Sequence, residues 1–129
     1  MQEFEDDFVT QDIIRFQVNG KKFGYKPMTA GEELDRLNEY TYIDENGKPV
    51  QDLKRISEMK LGRVVEAPYT KDFIKRIIGK EKEWNELTEQ ERVAFFRHSK
   101  PAFFSKLIEE IQKIDTGLHG KGGDALKNS

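Results

Sequence analysis

Covalent or acid–base catalysis needs a nucleophile, a base that activates it and donors for developing charge. Few residues of this chain can fill those roles. It has no cysteine, which excludes disulfides, thiolate nucleophiles and Cys-ligated zinc. Its only histidines are His98 and His119. His119 falls in a glycine-rich stretch where no rigid shell can orient an imidazole. His98 is expected near the end of a helix, where the dipole favours a partly positive ring, and this makes its role structural. A metal site would have to be built from carboxylates. Asp44-Glu45-Asn46-Gly47 lacks the alternating ligand spacing of a calcium loop and reads as a turn. Glu32-Glu33 and Glu109-Glu110 are helix neighbours that point in different directions, unsuited to sharing a proton. Gly120-Lys121-Gly122-Gly123 has neither the longer spacing of a phosphate-cradling loop nor the Ser or Thr and the helix that follow it. These residues predict no enzyme, no metal and no cofactor.

Binding chemistry is better supplied. Lys71, Lys75, Arg76, Lys80 and Lys82 cluster in one segment, diluted only by Asp72 and Glu81, and could line one side of a short helix against phosphates. The apolar half of that segment looks committed to the core, and no aromatics are interleaved as stacking platforms. Nucleic-acid binding through these five residues is therefore the alternative reading. With 22 basic and 24 acidic residues the net charge is −2, which gives no bulk attraction for nucleic acid or an anionic membrane. Trp84, the only tryptophan, is of a residue type favoured as an interface anchor, although a Trp just before a capping box also staples chain to core.

The elements that must position these residues can be read in turn. Two alternating β-prone runs around Asn19-Gly20 predict a β-hairpin over 12–27, closed by Pro27. Thr29-Ala-Gly-Glu32 has the form of a capping box and predicts a helix to about Tyr40, burying Leu34 and Leu37. Tyr40 to Ile43 suggests a short extended piece before the Asn46-Gly47 turn, with Pro49 arguing against a long second strand. Leu53, Ile56, Met59, Val64 and Val65 predict an amphipathic helix over 51–66, ended by Pro68. Thr70 can cap a helix with Phe73, Ile74, Ile77 and Ile78 facing inward, and Gly79 can stop it in a left-handed conformation. Thr88 and Glu91 form a second capping box for a helix carrying Val93, Phe95 and Phe96. Pro101 then breaks the chain and starts the last helix, where Phe103, Phe104, Leu107, Ile108, Ile111 and Ile114 share one face.

The whole reads as an α+β fold: an N-terminal hairpin packed on four or five short helices. One domain is expected over 12–114, between an acidic disordered arm at 1–11 and a flexible glycine-rich tail at 115–129. In the arm, Phe4 and Phe8 stand among Glu3, Glu5, Asp6 and Asp7. The 129 residues suffice to bury roughly 70% of the unfolded surface. The acidic start and the lack of any apolar run near ~18 residues lead to the expectation of a soluble, cytoplasmic protein without a membrane span.

Four stretches together carry a resemblance: Phe16-Gln-Val-Asn-Gly-Lys-Lys-Phe23, Pro27-Met-Thr-Ala-Gly-Glu32, Trp84-Asn-Glu-Leu-Thr-Glu-Gln-Glu-Arg92 and Lys100-Pro-Ala-Phe-Phe-Ser-Lys-Leu-Ile108. In layout from 12 to 114 the chain resembles the small tail assembly chaperones of long-tailed bacteriophages and related archaeal viruses. The resemblance implies a non-enzymatic protein of the host cytoplasm that keeps a long, helical, hydrophobic tape-measure protein soluble while the tail assembles. That family fixes no catalytic or binding motif, so no position inherits a role from it. The expected mechanism is an exposed groove, lined by some of Trp84, Phe95, Phe96, Phe103 and Phe104, that shields a partner's apolar helix. Self-association into a homo-oligomer stays open.

Overall fold

Asn19 and Gly20 both adopt positive φ, 52° and 77°, as a two-residue hairpin turn demands. They join β1 (Ile14–Val18) to β2 (Lys21–Tyr25) in antiparallel register, with Phe16 opposite Phe23 and Val18 opposite Lys21. The computed structural model describes residues 8–9 and 12–117. Phe8 and Val9 are exposed; the rest of the acidic arm, His119 and Gly120 to Gly123 lie outside the described residues.

Alternation along the hairpin places Phe16, Val18, Phe23 and Tyr25 on the core. Past β2 the Lys26 N–H donates to the Arg63 carbonyl at 2.9 Å, and Pro27 ends the strand as expected. The capping box forms at Thr29 and Glu32, and α1 (Ala30–Glu39) follows. Leu34 does not reach the core: it is 59% exposed, and α1 buries no residue fully. Its periodicity selects a face, but among the described residues that face is covered only in part, leaving Leu37 half-buried and Leu34 open. A small antiparallel pair, β3 (Thr41–Ile43) and β4 (Pro49–Gln51), comes next around the Asp44 to Lys48 turn.

The predicted helix over 51–66 is divided into three. α2 (Leu53–Met59), capped by Asp52, passes into a 3₁₀ turn (Lys60–Arg63) and then a strand, β5 (Val64–Glu66). β5 pairs antiparallel with β2, so the sheet order is β1-β2-β5. Two β-branched residues beside an open strand edge gain ladder bonds that a helix would forgo. Across this sheet Arg15 donates twice to Glu66, at 2.9 and 3.0 Å, over Gly24, which carries no side chain to obstruct the pair.

Three helices complete the body. α3 (Lys71–Ile78) starts at the Thr70 cap and stops at Gly79 in the left-handed conformation, as its sequence predicts. After a 3₁₀ turn (Trp84–Glu86), the Thr88–Glu91 capping box opens α4 (Glu89–Phe96), and α5 (Pro101–Asp115) begins with proline in its first turn. Leu107, Ile111 and Ile114 of α5 lie in the core beside the hairpin, with Phe103, Phe104 and Ile108 half-buried against it. The Tyr25 hydroxyl donates to Asp115 at 3.1 Å, and Lys60 pairs with the same carboxylate, tying the end of α5 to the sheet. At Gly62 the 3₁₀ turn touches α4 so closely that a Cβ would stand 2.8 Å from the backbone oxygen of Glu89. Arg92 of α4 donates to the Gly62 carbonyl at 3.0 Å and seals that contact.

Candidate functional site

The Thr70 hydroxyl accepts the Phe73 N–H at 3.2 Å and so sets the rotation of α3. With that rotation Ile74 is fully buried, while Phe73 and Ile77 occupy the adjoining stripe at the surface of the core. α4 brings Phe95 and Phe96 to its C-terminal end, and the chain then leaves through His98, Ser99 and Lys100 before re-entering at Pro101. Phe103 in the first turn of α5 therefore faces back across the gap. The space between them is a groove of ≈ 370 Å³ with Tyr69, Phe73, Ile77, Phe95, Phe96 and Phe103 on its apolar walls. Asn19, Lys21, His98, Ser99 and Lys100 form its polar rim.

Tyr69 is the hub of the apolar wall. Its ring centroid lies 4.8 Å from Phe95, 5.7 Å from Phe73 and 5.7 Å from Trp84, offset or tilted as ring quadrupoles prefer. Burial pushes its phenol up to about 12, so it is a neutral O–H near neutral pH. Trp84 lies one layer beneath, edge-on to Phe95 at 5.1 Å and to Phe96 at 5.4 Å. Its indole N–H donates to the Val64 carbonyl at 2.8 Å, so the support under the groove is hydrogen-bonded to β5.

Of the five residues expected to line a partner groove, Phe95, Phe96 and Phe103 border this one, Phe95 and Phe96 as buried core rings at its floor and only Phe103 half-exposed. Trp84 is buried beneath the groove, and Phe104 packs half-buried against the core away from it. Tyr69, Lys21 and Lys100 line the groove without having been singled out, and Phe73, expected to face inward, is instead 37% exposed on its wall. The signal for Phe73 was present in the width of the α3 stripe: four consecutive-turn apolar residues exceed what one core contact covers, and one flank must face out. Comparison with protein-family models, curated proteins and solved structures finds no match.

The basic segment is partly neutralised within the chain. Lys75 pairs with Glu81, Lys80 with Glu91 at 3.8 Å and Lys82 with Glu91 at 3.1 Å. Lys71 and Arg76 are exposed. The Glu91 carboxyl is held below the usual glutamate range, first by the Thr88 backbone N–H and further by Lys82 and Lys80. His98 sits on the groove rim just after α4, its backbone N–H donating to Phe95 at 3.1 Å.

A second cleft of ≈ 170 Å³ opens between α1, α2 and α4. Its charges are matched internally: Arg36 meets Glu89 at 3.3 Å, and Arg97 meets the buried Glu58 at 3.3 Å. Arg55 lies over the Tyr40 ring at 5.4 Å. Among the described residues, no three or more His, Asp or Glu side chains come together as a metal site, and no helix is long and apolar enough to cross a membrane.

Proposed function

We propose that this chain is a non-enzymatic assembly chaperone or adaptor that seats an apolar helical segment of a partner protein in the groove between α3, α4 and α5. One observation carries the reading: Phe73, 37% exposed, stands open on a wall of aromatic rings centred on Tyr69, with Trp84 packed in the layer beneath. An aromatic wall of this kind suits the anchors of an amphipathic helix laid into a groove. Because its supporting layer is preorganised, docking spends little entropy on ordering it. The resemblance to tail assembly chaperones supplies the partner class, a long helical protein of the tape-measure type, and the host cytoplasm as the working compartment.

The test is co-expression with such a protein, reading how much of it stays soluble and is retained on the tagged chain in moderate salt. Phe73→Asp puts a charge in the groove at a partly exposed position, and retention is expected to fall about tenfold or more with the fold intact. Retention unaffected by Phe73→Asp would remove the groove from the mechanism. Recovery of nucleic acid alone, released by salt, would replace this reading with one based on Lys71, Lys75, Arg76, Lys80 and Lys82.

A further inference from the structure

The groove has a charge asymmetry that its apolar walls do not require. The chain is acidic overall, with 24 acidic residues against 22 basic, yet none of the groove's lining residues carries a carboxylate. Lys21, His98 and Lys100 are its only titratable groups besides Tyr69. Lys21 holds its ammonium 5.8 Å over the Phe103 ring, so this charge stands on the aromatic wall itself. Lys100 is exposed immediately before the first turn of α5, on the loop that closes the groove. Neither lysine joins an ion pair among the described residues, a state shared with Lys22, Lys48, Lys54 and Lys71 outside the groove, so what distinguishes the groove is the lack of any carboxylate on its lining. Beyond Asn19 the sign is mixed: Lys106 donates to Asn19 at 3.1 Å but shares the next cleft with Glu109 and Glu110.

From this complementarity we infer that the segment seated in the groove is an acidic amphipathic one, with carboxylates flanking its apolar anchors and facing Lys21 and Lys100. The inference rests on the docking reading above and specifies the chemistry of the partner. Apolar burial supplies the affinity. The rim lysines choose among apolar helices and set the register, because like charge at the rim is repelled and opposite charge is drawn in.

Three synthetic helical peptides with one shared apolar stripe test it, their flanks carrying Glu, Gln or Lys. Each is titrated into the full chain at low and at high salt, with the sole tryptophan, Trp84, as the fluorescent reporter beneath the groove. The Glu peptide is expected to bind about three- to tenfold tighter than the Gln peptide at low salt, as two exposed charge pairs allow. That advantage should shrink at high salt. Combining Lys21→Gln with Lys100→Gln should bring the Glu peptide down to the affinity of the Gln peptide, while Lys54→Gln, outside the groove, should change nothing.

Equal affinity for all three peptides, or a preference for the Lys peptide, would overturn the acidic assignment and leave the docking reading standing. Failure of every peptide to bind would overturn both. If the acidic peptide binds only after residues 1–9 are removed, the chain's own Glu3, Glu5, Asp6 and Asp7 compete for the groove and the assignment to a partner is wrong. Concentration-dependent self-association that blocks the peptide would overturn it equally, in favour of a second copy.

Discussion

The two hairpins of this molecule both turn through an Asn-Gly pair, with Asn19 but not Asn46 at positive φ, and end in opposite environments. β1–β2 turns at Asn19-Gly20 and β3–β4 at Asn46-Gly47, with Gly20 at φ 77° and Gly47 at φ 76°. In the second turn the Asp44 side chain also accepts the N–H groups of Asn46 and Lys48, each at 2.9 Å. Yet the first hairpin puts Phe23 and Tyr25 at 1% and 0% exposure, whereas Tyr42 and Ile43 of the second are at 55% and 65%. No residue from 30 to 57 is buried. The difference is cover: α5 and β5 flank the first hairpin, and among the described residues no comparable layer flanks the second. A turn can bend the chain, but two strands alone are marginal without a face to pack on.

Polar contacts hold the 30–57 region to the body. Arg63 reaches Glu32 at 3.1 Å and Glu89 at 3.6 Å, and Arg36 reaches Glu89 at 3.3 Å. Such partly exposed pairs contribute about 0–1 kcal/mol each, so this region should open locally well below the free energy of global unfolding.

The contrast breaks most visibly in the core. Phe96→Ala removes a fully buried ring that meets Phe23, Tyr69, Trp84 and Phe95, and should cost about 3–5 kcal/mol in denaturant unfolding. Gly62→Ala comes next. Its methyl would press on the backbone of Glu89, and separating the 3₁₀ turn from α4 should cost about 1–3 kcal/mol. An unchanged midpoint in either variant would mean that the body is looser than its packing implies.

Acid should act on both regions through their capping boxes. The carboxyls of Glu32 and Glu91 are both held below the ordinary value, first by the backbone N–H of their cap threonines. The contribution of each is complete above the unfolded glutamate value and is lost as pH falls through the lower folded one. Thermal midpoints should therefore fall as the solution is taken below about pH 4.5. The deficit of Glu91→Gln at neutral pH should close over the same range; a deficit independent of pH would exclude the charge as its cause. The smallest effect belongs to Leu34→Ser or Leu53→Ser, exposed apolar residues of the 30–57 region, each expected to stay within about 0.5 kcal/mol. A larger loss would show that this region has a core after all.

What could be read from the residues alone follows the same division. Asn19-Gly20, Thr70, the two Thr/Glu boxes and Pro101 act within a few residues of themselves, so their turns, caps and helix starts were legible. Val64 to Glu66 were misread as the end of a helix because their strand depends on an open edge at Gly24 and Tyr25, far away in sequence. Leu34 was misread as core because spacing marks an apolar face without telling whether anything covers it. The groove was half legible for that reason: Phe95, Phe96 and Phe103 stand on well-patterned helices, while the exposure of Phe73 and the approach of Lys21 depend on how α3 and the hairpin dock.

The bond from the Lys26 N–H to the Arg63 carbonyl gives the 30–57 region a topological meaning. It places the two stems that lead into and out of that region side by side on the ladder, as the stems of a graft would be. Replacing residues 30–57 with a connector about sevenfold shorter would return about 1.7 kcal/mol of closure entropy, against the ion pairs, the helix caps and the half-buried Leu37 and Ile56 that leave with it. Lys26 and Arg63 thus clamp the base of an excursion whose outer part, 30–57, could be exchanged for another surface module while Met59 and Leu61 stay in the core with the sheet and the groove.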